Sequence, residues 1–215
     1  MAESGLSDHL QWHCRIERDE HTIIYPDGCR DILLLTRSDG SRWLKLADWD
    51  FRPRVAFLPA GLSITGFRMR PGTVLGEQDL PLMSTDPALI GQFIRSEARR
   101  NPVLDDVIEA LVERPCSAEA LAREQGVCLR TLQRRFRELG LPSLEYWRLL
   151  GRARRAAMML PTGCPLIELA SNAGYSDQAH MTREFVRWFG LTPGTLLRSP
   201  EALQWLQQPG LCNWV

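Results

Sequence analysis

The chain reads as an α+β protein in two unlike parts, a small antiparallel β domain followed through a helical connector by an all-α domain. Three observations predict this: a division of charge, a change of hydrophobic period near residue 86, and a repeat confined to the back half. The formal charge is zero, but residues 1–115 carry 14 Lys+Arg against 18 Asp+Glu while residues 116–198 carry 12 against 7. An acidic front and a basic back imply separate units, of which the second suits a polyanion. At 215 residues, 44% hydrophobic and 24% charged, the chain has the composition of a soluble globular protein with a core of ordinary size.

The N-terminal stretch "MAESGLSDHLQWHC" is polar and acidic, without the basic start and apolar run of a signal peptide, and no segment reads as a membrane span; a cytoplasmic protein is expected. Cysteines 14, 29, 116, 128, 164 and 212 are scattered with no CxxC pair and read as reduced thiols. Five short runs rich in β-branched or aromatic residues follow: "HTIIY" (21–25), "DILLLTR" (31–37), "RWLKLA" (42–47), "RVAFLP" (54–59) and "LSITGFRM" (62–69). "SDGS" at 38–41 is a hairpin signal, because glycine accepts the positive φ that primed turns require. From Asp86 the period turns helical through "DPALIGQFIRSEARR" and "NPVLDDVIEALVER". The expected division is 1–85 for the β domain, 86–114 for the connector, 115–199 for the all-α domain and 200–215 for a tail.

"LAREQGV" (121–127) recurs as "LASNAGY" (169–175) at an offset of 48, "LQRRF" (132–136) as "MTREF" (181–185) at 49, and "GLP" (140–142) as "GLT" (190–192) at 50. Each copy reads as a helix, a tight turn at Gly126 or Gly174, and a second helix. Small Ala122 and Ala170, four residues before the glycine, permit the close helix approach of a helix-turn-helix. Between the copies, "LEYWRLLGRARRAAMML" (144–160) keeps helical spacing and predicts a rigid joining helix.

On a helical wheel, Leu129, Leu132, Phe136 and Leu139 share one arc, opposite Arg130, Gln133, Arg134 and Arg137. In the second copy Met181, Phe185, Trp188 and Phe189 face inward, leaving Ala179, Thr182, Arg183 and Val186 outward with Arg187 beside them. An exposed basic helix is usually only solvated. Two copies, each presenting an arginine beside a hydrogen-bonding neutral residue, point instead to base reading, since arginine forks to guanine O6 and N7 and glutamine to adenine N6 and N7.

Residues 117–198 closely resemble the C-terminal DNA-binding domain of the AraC/XylS transcriptional regulators, through Arg152 to Ala156 for "RxxxA" and "GYSDQAHMTREFVRWFGLTPGTLLR" (174–198) for the second unit. The resemblance implies that Arg130, Gln133 and Arg134, with Gln178, Ala179, Thr182 and Arg183, occupy base-contacting positions. Arg137, His180 and Arg187 fall to phosphate or flanking roles. Two departures stand out: Cys128 where a serine usually caps the first recognition helix, and Met181 in place of an aromatic. The implied partner is double-stranded DNA, with RNA polymerase, a small effector and a second copy as further partners and no membrane. The residues leave the direction of control open; activation is the expectation.

"YPDGCRDILL" (25–34) and "GFRMRPGT" (66–73) resemble the N-terminal β domain of one branch of these regulators, which implies a cupin-like half barrel that senses an effector or dimerises. Against an effector site stands the plain reading that Pro26, Asp27 and Gly28 make a turn while Arg68 and Arg70 are surface or salt-bridged. Cys29 reads as a small buried filler, with a reactive thiol as the alternative. His13, Cys14, His21 and Cys29 match no closed zinc set, so neither metal nor cofactor is expected. No GxSxG, phosphate loop or HExxH occurs, and an enzyme is not expected; a DNA-architectural or interaction protein without effector is the main rival.

Overall fold

The computed structural model describes residues 9–82, 84–98, 101–114 and 116–214. Among them the front half holds six strands, β1 (His9–Arg15), β2 (Glu20–Ile24), β3 (Arg30–Thr36), β4 (Arg42–Leu46), β5 (Arg54–Leu58) and β6 (Ser63–Met69). They form two antiparallel sheets, one in the order β1-β6-β3-β4 and one pairing β2 with β5. Alternation in β3 feeds two cores: Ile32 and Leu34 join Phe67 and Met69 on one face, while Leu33 and Leu35 join Ile16, Leu62 and Ile64 on the other. The hairpin expected at 38–41 is present, with Gly40 at φ +84° and the Arg37 amide donating to the Ser41 carbonyl at 3.0 Å.

Strand β1 is an addition to the five runs legible in the sequence. It is an edge strand paired only to β6, so most of its side chains meet water and its composition looks like a polar lead-in. Its Trp12 lies flat over Gly66, where a Cβ would come within 2.0 Å of the indole, and donates from Nε1 to Asp31 at 3.1 Å.

The two connecting helices divide between the two cores. α1 (Pro87–Glu97), capped by Asp86, buries Ile90 and Ile94 against the β3–β6 face. α2 (Pro102–Glu113), capped by Asn101, buries Val107, Ile108 and Leu111 in the helical core and packs along α5 (Leu144–Met159). Gly151 makes that contact possible, since a Cβ there would meet Val112 at 2.9 Å. α5 is the centre of the helical unit, burying Trp147, Leu150, Ala153, Ala156 and Ala157. Around it stand α3 (Ala118–Glu124), α4 (Leu129–Glu138), α6 (Leu166–Asn172), α7 (Gln178–Phe189), α8 (Pro193–Leu197) and α9 (Pro200–Gln207). The β unit rests directly on α5: Trp49 meets Trp147 edge-on at 5.4 Å, Phe51 meets Tyr146 at 5.0 Å, and the Tyr146 hydroxyl donates to the Asp50 carbonyl at 3.2 Å. Among the described residues no helix is long and apolar enough to cross a membrane, and no three His, Cys, Asp or Glu side chains gather as metal ligands.

Candidate nucleic-acid interface

In the two turns the repeat seen in the sequence recurs bond for bond. In the first module the Val127 amide donates to the Ala122 carbonyl at 2.9 Å and the Gly126 amide to Arg123 at 3.0 Å. In the second, Tyr175 donates to Ala170 at 2.9 Å and Gly174 to Ser171 at 3.0 Å. Both glycines are left-handed, at φ +66° and +74°, a conformation that closes the turn and that a side chain resists. Ala122 and Ala170 are both buried where the paired helices touch.

On α4, Leu132 and Phe136 are buried and Leu129 and Leu139 half-buried, while Arg130, Gln133, Arg134 and Arg137 are exposed on the other side. Arg134 keeps only a loose 3.6 Å contact with Glu138, both side chains being well exposed, so its guanidinium is available to a ligand. On α7, Met181, Phe185, Trp188 and Phe189 are buried and Gln178, Ala179, Arg183, Val186 and Arg187 are exposed. Thr182 is half-buried and its hydroxyl donates to the Gln178 carbonyl at 2.9 Å, which leaves it the oxygen lone pairs and a methyl group to offer. Neither outward face lies beneath the β unit.

The flanking residues sort by geometry. His180 is engaged locally, its Nδ1 3.0 Å from the Ser176 hydroxyl and its ring edge-on to Tyr175 at 5.3 Å. Arg187 lies over the Trp188 ring at 5.0 Å and 3.7 Å from Glu184. Along α5, Arg148 pairs with Glu145 at 2.6 Å and Arg155 donates to the Glu113 carbonyl at 2.8 Å. Arg152 donates to the Gly174 carbonyl at 3.3 Å while stacking over Tyr175 at 4.3 Å, and so braces the second turn against the joining helix. A groove of about 940 Å³ runs from Gln133 and Arg137 past Arg148, Arg152 and Arg155 to Gly174, joining the first outward face to the foot of the second module.

The helix starts differ. Asp177 accepts from the His180 amide at 2.6 Å, and that bond, with a second from Ser176, holds its carboxyl below the ordinary carboxylate value. Cys128 makes no side-chain cap bond; its sulfur lies 3.2 Å from the Thr131 hydroxyl, and the hydrogen bonds to Thr131 lower the thiol from its usual value.

In the β unit Arg68 is salt-bridged, as one of its two sequence readings had it. It is only 9% exposed, reaches Asp27 at 2.9 Å and Asp31 at 3.2 Å, and donates to the Pro209 carbonyl at 3.0 Å. Burial opposes its charge, and the two carboxylates more than offset that, raising its pKa. Arg70 is half-exposed. Cys29 is buried, and burial followed by the Asp27 charge pushes its thiol well up, which suits a filler and not a nucleophile.

A family model described as "Helix-turn-helix domain" matches residues 121–199. The transcriptional regulator GlxA of Rhizobium meliloti is 40% identical over 94 residues, covering 42% of this chain and 28% of its own. The F1 operon positive regulatory protein of Yersinia pestis is 32% identical over 94 residues, 43% of this chain and 31% of its own. The chain thus matches less than a third of the length of either relative. Among solved structures, the C-terminal domain of AraT, a response regulator from Geobacillus stearothermophilus, is similar in outline at a TM-score of 0.42 and 24% identity, covering 46% of this chain and 85% of that one. The helix-turn-helix match at residues 121–199 takes in the duplicated turns and the motif at 174–198, the stretch that resembles the AraC/XylS regulators.

Proposed function

We propose that this chain is a sequence-specific, DNA-binding regulator of transcription, with α4 and α7 reading successive major grooves on one face of the duplex, about 34 Å apart. The observation that carries the reading is one position occupied twice: Arg134 and Arg183, 49 residues apart, stand exposed on the outward faces of helices that follow matching turns. Arg130, Gln133, Arg134, Gln178 and Arg183 supply hydrogen bonds to base edges; Ala179 and the Thr182 methyl supply apolar contact of the kind thymine methyls accept. Arg137 meets phosphate, while His180 and Arg187, held by neighbours in their own module, shape the flank and do not read bases. Activation through contact with RNA polymerase, in the cytoplasm, belongs to this reading, and the positive regulatory protein among the relatives supports its direction.

For the β unit the neutralised Arg68 favours a dimerising or interaction module over an effector site built on that residue. Selection of bound fragments from genomic DNA tests the whole proposal. The expected result is one motif in two parts a helical turn apart; retained fragments that share no sequence would refute sequence-specific reading.

A further inference from the structure

Residues 200–214 carry no signal in the sequence beyond being a tail, yet they are built into the centre of the molecule. α9 packs on α5 with Ala202 and Leu206 buried, and the chain then crosses between α5 and the β unit. On the α5 side stands Arg154, 1% exposed. Its Nε donates to the Leu211 carbonyl at 2.9 Å, and its Nη2 donates to the carbonyl of Leu206 at 3.2 Å and to Oδ1 of Asn213 at 3.1 Å. Cys212 adds a contact from its sulfur to the Gly151 carbonyl at 3.4 Å. On the β side, the Leu211 amide donates to the Asp27 carbonyl at 2.8 Å, and the Pro209 carbonyl accepts from Arg68.

The fit is tight in both directions. A Cβ on Gly210 would come 2.9 Å from Nη2 of Arg154 and 3.0 Å from the Asp27 carbonyl, and one on Gly28 would come 2.8 Å from the Leu211 side chain. A buried guanidinium is tolerated only when its donors are satisfied, and here the C-terminal segment supplies the acceptors. The same segment meets the Asp27–Arg68 cluster on its other edge, so one stretch of backbone completes two buried polar groups in different units.

We propose that residues 208–213 are a coupling strap, anchored by Arg154, through which a change at the Asp27–Asp31 turn of the β unit reaches the helix that carries both reading modules. The aromatic seam at Trp49 and Phe51 holds the two units together independently, so loosening the strap changes their coupling without parting them. The link from α5 onward is Arg152, which holds the second turn at Gly174. The functional half of the proposal rests on the DNA-reading assignment; the structural half does not.

Two measurements on the full chain keep those halves apart. Amide hydrogen exchange compares the parent with Gly210→Val, which wedges the strap, and with a chain ending at Gln208. Exchange at 27–31 and in α5 around 151–155 should rise about tenfold while α7 keeps its protection. Unchanged exchange at 27–31, or an equal rise through α7, would overturn the strap with no DNA present. The second measurement is a cycle on affinity for a selected DNA fragment. Gly28→Ala, at φ +76° and against Leu211, should shift the dissociation constant by about threefold in the intact chain and leave it unmoved in the chain ending at Gln208. An equal shift in both backgrounds, or none in either, would overturn coupling through the strap.

Discussion

The two helix-turn-helix modules share a backbone plan and are held in place very differently. α4 carries four arginines against one glutamate and buries two of its side chains, Leu132 and Phe136. α7 carries two arginines against one glutamate and buries four, Met181, Phe185, Trp188 and Phe189. Asp177 caps α7, whereas Cys128 leaves the start of α4 without a side-chain cap. Arg152 ties the second turn to α5 through the Gly174 carbonyl. Duplication therefore copied the geometry and not the division of labour: the first module is the more cationic, the second the more firmly packed.

The largest effect expected from that contrast is on folding. Phe185→Ala should cost about 3 to 5 kcal/mol in denaturant unfolding, with Phe136→Ala at the lower end of the same range because fewer buried neighbours on its helix depend on it. A greater loss for Phe136→Ala would reverse the ranking of the modules. Next comes recognition. Arg134→Ala and Arg183→Ala should each remove roughly 1 to 3 kcal/mol of discrimination between selected and scrambled DNA. If both variants discriminate as the parent does, the base-reading assignment fails. Arg137→Gln should instead leave discrimination alone and flatten the dependence of log affinity on log salt by about 0.9.

Helix starts give the smallest effects. Asp177→Ala should lower the thermal midpoint and Cys128→Ser raise it by about 1 to 2 °C, since serine supplies the acceptor that the thiol does not. The pH dependence has a definite sign. Because the folded Asp177 carboxyl lies below its ordinary value of 3.8, its contribution is complete above that value and drains away as pH falls through the lowered one. Exchange of the His180 amide followed into acid should show the loss in the parent and no such step in Asp177→Ala.

Much of the interface was legible because helical period and a repeat are local properties. The spacing of Leu132 and Phe136, or of Met181 and Phe185, fixes which side of each helix faces water, and Gly126 and Gly174 mark the turns. The individual duties of the arginines were not legible. Arg148, Arg152, Arg154 and Arg155 look alike along one basic stretch, yet they go to a neighbouring glutamate, the second turn, the C-terminal segment and the end of α2. For the last three, partners 22 to 57 residues away decide. Edge strand β1 escaped notice for a related reason, since only pairing with β6 distinguishes it from a polar lead-in.

By itself the sequence determined the two-part fold, the doubled turn and the outward faces, all consequences of residue spacing and backbone preference within a few turns of chain. Tertiary structure alone decided that α1 joins the β core and α2 the helical one, that Arg68 is matched by Asp27 and Asp31, and that Arg154 is buried beneath the C-terminal segment. Those outcomes turn on which distant groups can satisfy a buried charge or fill an apolar surface, and proximity of that kind exists only once the chain has folded.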